Sequence, residues 1–233
     1  MNIQPDPTRN ARFLTLEGVE GSGKTTQIRL LTRWLEEQSI PFILTREPGG
    51  TPFGQQVRQV LLDAQGPPRQ PLAELLLYLA DRHQDLQERI LPALAAGRLV
   101  LCDRYHDATL AYQGYARGIP LETISRFAEA LQIRSPDLTF LLDIDPAVSL
   151  TRAIQRNQAT SDASREGRFE AEDLAFHRRV RNGYLDLARR SPERFRIIPA
   201  DRAPEPIFDD ILRHVQQSMD PSARRRIERD PSP

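Results

Sequence analysis

The sequence predicts an α/β protein of three layers, a parallel sheet of about five strands with helices on both faces, carrying a small lid. Three observations predict it. Short apolar runs alternate with longer stretches of helical spacing, which builds βαβ units rather than hairpins. The first apolar run passes directly through a glycine-rich loop into a helical pattern. An arginine-bearing polar segment at 158–168 separates two helical patterns late in the chain, the organisation of a segment that closes over a site.

The elements follow in order. Residues 13–17 (FLTLE) read as a short buried strand, and 24–38 as a helix. Residues 41–45 form a second strand, and Pro48, Gly49, Gly50 and Pro52 mark a tight loop after it. A helix is expected over 54–63, with a break at Gly66, Pro67 and Pro68. Helical spacing over 72–91 meets Pro92, which kinks or ends it. A strand at 98–102 precedes helices at 107–113 and 121–132. A strand at 138–143, helices at 147–157 and 171–190, a strand near 195–198 and a helix at 205–217 complete the pattern. One domain is expected over 13–218, with the lid at about 152–169. Segments 1–12 and 219–233 are polar and expected to be disordered.

Lys and Arg total 32 and so do Asp and Glu, a balance that does not point to nucleic acid or a membrane surface. The run Arg224, Arg225 and Arg226 reads as a solvated tail. No apolar run approaches the roughly 20 residues of a bilayer span. Cys102 is the one cysteine, so no intramolecular disulfide is possible and a cytoplasmic home is the plain reading. His83, His106, His177 and His214 are scattered without metal-ligand spacing.

Gly18, Val19, Glu20, Gly21, Ser22, Gly23, Lys24 and Thr25 match G-x-x-x-x-G-K-[ST] in full, between an apolar strand and a helix. The glycines let successive backbone N–H groups point at one phosphate, and the helix N-terminus adds its positive end. Lys24 reaches the terminal phosphates of ATP or GTP, and Thr25, followed by Thr26, presents a hydroxyl to Mg²⁺. Lys24 is also the one lysine among the 32 basic residues. Arginine codon bias explains the rest. A planar guanidinium cannot replace a compact ammonium inside that loop. With no second lysine the chain has no Asn-Lys-x-Asp guanine motif, which speaks against a GTPase and leaves an ATPase or kinase.

Asp103 ends the strand at 98–102, where a carboxylate can hold Mg²⁺, and Arg104 beyond it can grip an anionic acceptor. An ion pair capping a strand end is the alternative. Tyr78 and Arg82 are four apart on a helix and share a face. They could clamp a base, or be core and a local ion pair with Asp81 or Asp85.

Several motifs together resemble thymidylate kinases over residues 13–215. They are the phosphate loop; Arg46, Glu47, Pro48, Gly49, Gly50 and Thr51; Asp103, Arg104 and Tyr105; Ala111, Tyr112, Gln113 and Gly114; and Arg168, Phe169 and Glu170 followed by Phe176 and His177. The resemblance implies a P-loop NTPase fold, ATP as phosphoryl donor with Mg²⁺, dTMP as acceptor, and a homodimer through apolar helix faces. It implies a dTMP pocket of Glu20, Glu47, Pro48, Arg58, Tyr78, Arg82, Arg104, Thr109, Tyr112 and Gln113, with Tyr112 beneath the deoxyribose and Arg104 on the monophosphate. Glu20 is implied at the sugar 3′-hydroxyl or the Mg²⁺ shell, and Thr25 and Asp103 at the metal. The loop carries no arginine after Gly18, a pattern that in the family goes with a transition-state arginine in the lid. Arg156 matches it best, supported by Arg152, Arg165 and Arg168, with Arg152 also near ATP. Lys24, Arg104 and Arg156 form the implied catalytic set. The chain departs from the family pattern at Gly167, where Asp is common, and at Ala108, where Ser is common.

No general base is visible, and none is required when the attacking group is an ionised phosphate. A deoxynucleoside kinase acting on a neutral hydroxyl would need one, and Glu47 could serve. A non-kinase P-loop protein driving a partner interaction is the rival of a different class.

Overall fold

In a computed structural model, which describes residues 13–158 and 167–219, five strands form one parallel sheet. They are β1 (Phe13–Glu17), β2 (Phe42–Arg46), β3 (Leu99–Asp103), β4 (Leu138–Asp143) and β5 (Phe195–Pro199), in the order β2-β3-β1-β4-β5. All of β1 is buried, and β3 and β4 are buried up to their last residue. Layers on both faces explain why these strands read as continuous apolar runs rather than alternating ones. Leu14, Leu16, Leu99 and Leu101 join the core that contains Leu31 and Leu35, whereas Phe13, Val100 and Cys102 pack with Leu86, Ile90 and Ala93. Period-two alternation along each strand thus serves two different layers.

The helices are α1 (Lys24–Glu37), α2 (Pro52–Leu62), α3 (Pro71–Asp85), α4 (Leu91–Ala95), α5 (His106–Thr109), α6 (Leu121–Ala130), α7 (Pro146–Gln158), α8 (Leu174–Arg190) and α9 (Pro204–Met219). From β1 the chain crosses to the outer strand β2, returns to fill the gap with β3, and then builds on the other side of β1 through β4 and β5. The strand order therefore reverses next to β1, where open α/β sheets place ligands beyond the strands' carboxyl ends.

Three of the departures from the sequence expectation have local causes. α2 begins at Pro52, not 54, because Thr51 caps it, accepting Gly54 N–H at 2.9 Å, and proline suits the first helical turn. Pro92 does not end the helical path. A π turn, Leu86–Ile90, lies ahead of it and carries the helical backbone on into α4, whose second residue is Pro92. α8 starts at Leu174 rather than 171, with Asp173 accepting Phe176 N–H at 2.6 Å. The expected helix at 107–113 is α5 running into a second π turn, Leu110–Ala116. The segments expected to be disordered lie outside the described residues, apart from Met219, which closes α9.

Candidate active site

The phosphate loop leaves the carboxyl end of β1 and enters α1 at Lys24. Gly21 and Gly23 adopt φ of 72° and 96°, a left-handed geometry that side chains disfavour. Gly21 has a second constraint: a Cβ there would lie 2.0 Å from the carbonyl oxygen of Ser149 on α7. Lys24 Nζ donates to Gly18 O at 2.9 Å, Val19 O at 3.0 Å and Ser22 Oγ at 3.3 Å. Burial, with Arg104 nearby, brings its pKa down to about 8.

Arg104 follows β3 at φ 65°, rare for a residue with a side chain. Its own N–H donates to Leu16 O at 3.0 Å, and the next N–H, of Tyr105, donates to Glu17 Oε1 at 2.7 Å. Glu17 is fully buried and also accepts the Tyr184 hydroxyl at 2.7 Å. This backbone anchorage turns the Arg104 guanidinium onto the loop. It donates to Gly18 O at 2.8 Å, Tyr112 Oη at 3.1 Å and Glu20 Oε1 at 2.8 Å, with its centre 5.2 Å from the Tyr112 ring centroid. Tyr112 Oη also donates to Glu20 Oε1 at 2.6 Å. Burial alone would push the Glu20 carboxyl up, but Arg104, with His177 and Lys24 close by, holds it well below the usual carboxylate range. His177 bridges Glu20 Oε2, 3.4 Å from Nδ1, and the Phe169 carbonyl, 3.0 Å from Nε2.

The second half of the site is built on α3. Arg82, about 1% exposed, donates Nε–H to Glu47 Oε2 at 2.7 Å, Nη1–H to Thr109 Oγ1 at 2.8 Å and Nη2–H to Tyr105 O at 3.1 Å. Pro48 follows Glu47 through a cis peptide, and its carbonyl accepts Arg58 Nη1–H at 3.0 Å. Burial, reinforced by Asp81 and Asp85, pushes the Glu47 carboxyl well up against the opposing pull of Arg82.

One cavity of about 670 Å³ joins the two halves. Of the residues the sequence singled out, Glu20, Gly21, Ser22, Gly23, Lys24, Thr25, Thr26, Glu47, Pro48, Arg58, Tyr78, Arg82, Asp103, Arg104, Thr109, Tyr112, Gln113 and Arg152 line it. Gly18 and Val19 form the loop behind the wall. Arg152 rests on Asp201 Oδ1 at 2.8 Å and Ala200 O at 3.3 Å. Arg168 is not brought to the cavity: it pairs with Glu74 Oε2 at 2.7 Å and donates to Leu61 O at 3.2 Å. Arg165 and the side chain of Arg156 lie outside the described residues. Leu62, Phe169 and Glu170 also line the cavity, and Glu17, Glu74 and His177 support it. Sequence reasoning assigned no role to any of these. The motif that holds Phe169, Glu170 and His177 was a usable signal; Glu74 had none beyond its place one turn before Tyr78.

The oxygen donors at the loop fit a hard divalent cation. Asp103 Oδ1 is buried without a hydrogen-bond partner among the described residues, and it shares the cavity wall with Thr25. A carboxylate and a hydroxyl beside a phosphate site are the donor set Mg²⁺ prefers.

The sequence profile of the thymidylate kinase family matches residues 16–211. The thymidylate kinase of Solidesulfovibrio magneticus is 50% identical over 202 residues, covering 85% of this chain and 96% of its own length. That of Geotalea uraniireducens is 54% identical over 187 residues, covering 80% and 87%. The crystal structure of thymidylate kinase from Ehrlichia chaffeensis superposes with a TM-score of 0.70 at 33% identity, covering 89% of this chain and 100% of that one. With a phosphate loop, an arginine after β3 and Tyr78 and Arg82 on α3 facing one cavity, and with these relatives matched over most of their length, the chain belongs to the thymidylate kinase family.

Proposed function

We propose that the protein moves the γ-phosphoryl group of ATP onto the phosphate of dTMP, releasing ADP and dTDP, by in-line attack of the acceptor phosphate oxygen. The observation that carries this reading is Arg104. Its guanidinium stands where the phosphate loop and the α3 pocket meet, bonded to Gly18 O and Tyr112 Oη. A cation there grips an acceptor that is itself anionic and keeps it in line with the donor. Lys24 and the loop N–H groups hold the transferring phosphates. Thr25 and Asp103 would hold Mg²⁺, which when bound neutralises phosphate charge. Arg156 supplies the lid charge in the transition state, with Arg152 and Arg165 as supporting cations of the same segment.

On the acceptor side Tyr78 and Arg82 clamp the base, and Tyr112 and Glu20 sit at the sugar. Arg82 commits one N–H each to Glu47, Thr109 and Tyr105. Of its five N–H donors two are left, so it offers donation and never acceptance, which suits the 4-carbonyl of thymine. Gln113, Thr109, Pro48 and Arg58 complete that wall.

The deoxynucleoside kinase reading loses support at Glu47. A general base must reach the acceptor hydroxyl, yet this carboxylate is 4% exposed and Arg82 occupies its Oε2 at 2.7 Å. The test is ADP release with dTMP, with thymidine and with no acceptor. Release dependent on dTMP is expected. Release driven by thymidine, or equal without acceptor, overturns the proposal.

We also propose a homodimer through the outer faces of α2 and α3, where Phe53, Val60, Leu72 and Leu76 are 44–50% exposed. Such a cluster of large apolar side chains favours a partner surface. A sedimenting monomer at micromolar concentration would sink this. Among the described residues no helix is long and apolar enough to cross a membrane, and a cytoplasmic setting is the reading we adopt.

A further inference from the structure

We infer that Glu74 is a specificity-determining positioning residue, a buried carboxylate that fixes which end of the Gln113 amide faces the base. The inference rests on the proposed dTMP pocket. Glu74 sits in the first turn of α3, one turn before Tyr78 and two before Arg82, and is about 1% exposed. Residues so spaced share a helix face. Its Oε1 accepts Gln113 Nε2–H at 2.9 Å and faces Arg117 Nε at 3.5 Å; its Oε2 pairs with Arg168 Nη2 at 2.7 Å.

Two arginines against one carboxylate supply its counter-charge. An ionised carboxylate only accepts hydrogen bonds, whereas a carboxamide has a donating end and an accepting end. Gln113 can therefore meet Glu74 through Nε2 alone, and its carbonyl oxygen is the end left for a ligand. Gln113 is buried and lines the cavity.

That orientation has a chemical reading. Thymine and uracil carry a hydrogen on N3; cytosine carries a lone pair there and an amino group in place of the 4-carbonyl. A glutamine held carbonyl-inward accepts from the N3–H of thymine and repels the N3 lone pair of cytosine. Were the amide free to turn, its NH₂ would satisfy cytosine. Glu74 thus works against the wrong base without touching either one. The arginines that hold Glu74 lie behind the cavity wall and are themselves anchored. Arg168 also donates to Leu61 O at 3.2 Å, and Arg117 Nη2 pairs with Glu172 at 2.6 Å. Next to Arg168, the Phe169 ring meets Tyr112 edge-on at 5.2 Å.

The test is Glu74→Gln, which keeps shape but can donate or accept and so permits the Gln113 amide to turn. The readout is the ratio of kcat/KM for dTMP to that for dCMP, which a merely structural role would not move. A fall in that ratio of about tenfold or more is expected, the scale of one hydrogen bond lost or gained in a buried site. In a Gln113→Leu background the same Glu74 change should leave the ratio where Gln113→Leu put it. Both substrates declining in parallel, with the ratio kept, overturns the inference. So does an equal effect in the two backgrounds. If Glu74→Gln fails to fold, Glu74→Asp reads the same ratio. It stays acceptor-only and charged but is one methylene short of Gln113, and an unchanged ratio there refutes the idea equally. Failure of the unaltered protein to release ADP with dTMP would instead sink the underlying function, so the two failures are distinguishable.

Discussion

Replacing Glu17 by glutamine should change how stability depends on pH, and the size can be worked from the structure. The carboxyl is fully buried behind the phosphate loop. Burial, with repulsion from Asp107, raises its pKa from the ordinary 4.5 to about 7, against the pull of the Tyr184 hydroxyl, Arg104 and the Tyr105 N–H. In the unfolded chain the group ionises near its ordinary value, whereas the folded protein holds the proton until about pH 7. Raising the pH through that window therefore favours unfolding; the penalty is absent below 4.5 and complete above about 7. A difference of roughly 2.5 pK units corresponds to about 3 kcal/mol. Glutamine does not ionise, and it can keep both contacts, Oε1 accepting from Tyr105 N–H and Nε2 donating to the Tyr184 oxygen. Between pH 5 and pH 8 the variant should gain about 2.5 kcal/mol relative to the wild type, since the wild type already carries part of the penalty at pH 5. Asp85, raised by burial to about 6, acts in the same direction in both proteins and drops out of the difference. Urea unfolding at fixed protein concentration and pH 5, 6, 7 and 8 measures it, and for urea slopes of about 1–3 kcal/mol/M the relative midpoint should move by roughly 1–3 M. Midpoints that stay a constant distance apart at every pH would refute the assignment of a buried, protonated Glu17.

Lys24→Arg should lower turnover by about 10²-fold or more, since the ammonium sits among three acceptors within 3.3 Å and a guanidinium has no matching space there; near-normal steady-state rates would contradict it. Arg82→Ala should chiefly raise KM for dTMP, about tenfold or more, while Arg156→Ala should lower kcat and leave that KM nearly alone; a dTMP titration at saturating ATP separates the two, and the reverse pattern would exchange their roles. Gly50→Ala should destabilise the fold by about 1–3 kcal/mol, because a Cβ would stand 2.3 Å from Thr45 Oγ1 and 2.4 Å from Asp85 Oδ1; an unchanged Tm would show that this corner yields freely.

What was legible in the sequence was whatever its chemistry repeats over a short span. The phosphate loop is contiguous, Asp103 and Arg104 follow one strand, and Tyr78 and Arg82 share a face because α3 turns every 3.6 residues. The strand set was equally readable, since sheets covered on both faces demand unbroken apolar runs. The supporting groups were not. Glu17 meets Tyr184 and Glu74 meets Arg168 only because the sheet order brings distant segments together, and no local period records that. The same holds for Arg168: its sequence suggests a phosphate-facing cation, yet Glu74 and the Leu61 carbonyl claim it. The two π turns are also products of packing, appearing as a kink at Pro92 and as an ordinary helix over 107–113 when read without the third dimension.

Gly21 has a mechanical consequence. The space for a Cβ at that glycine is already filled by the Ser149 carbonyl, 2.0 Å away, so the loop backbone and the first turn of α7 bear on each other directly. α7 runs 13 residues from Pro146 to Gln158, about 20 Å at 1.5 Å per residue. A push at Ser149, one turn from the start of a stiff rod pivoting at Pro146, is amplified along its length. A small displacement at Gly21 would swing the far end, where Arg156 is attached, by several times as much. Donor binding would then be transmitted to the arginine-bearing end as leverage, without any side chain carrying the message.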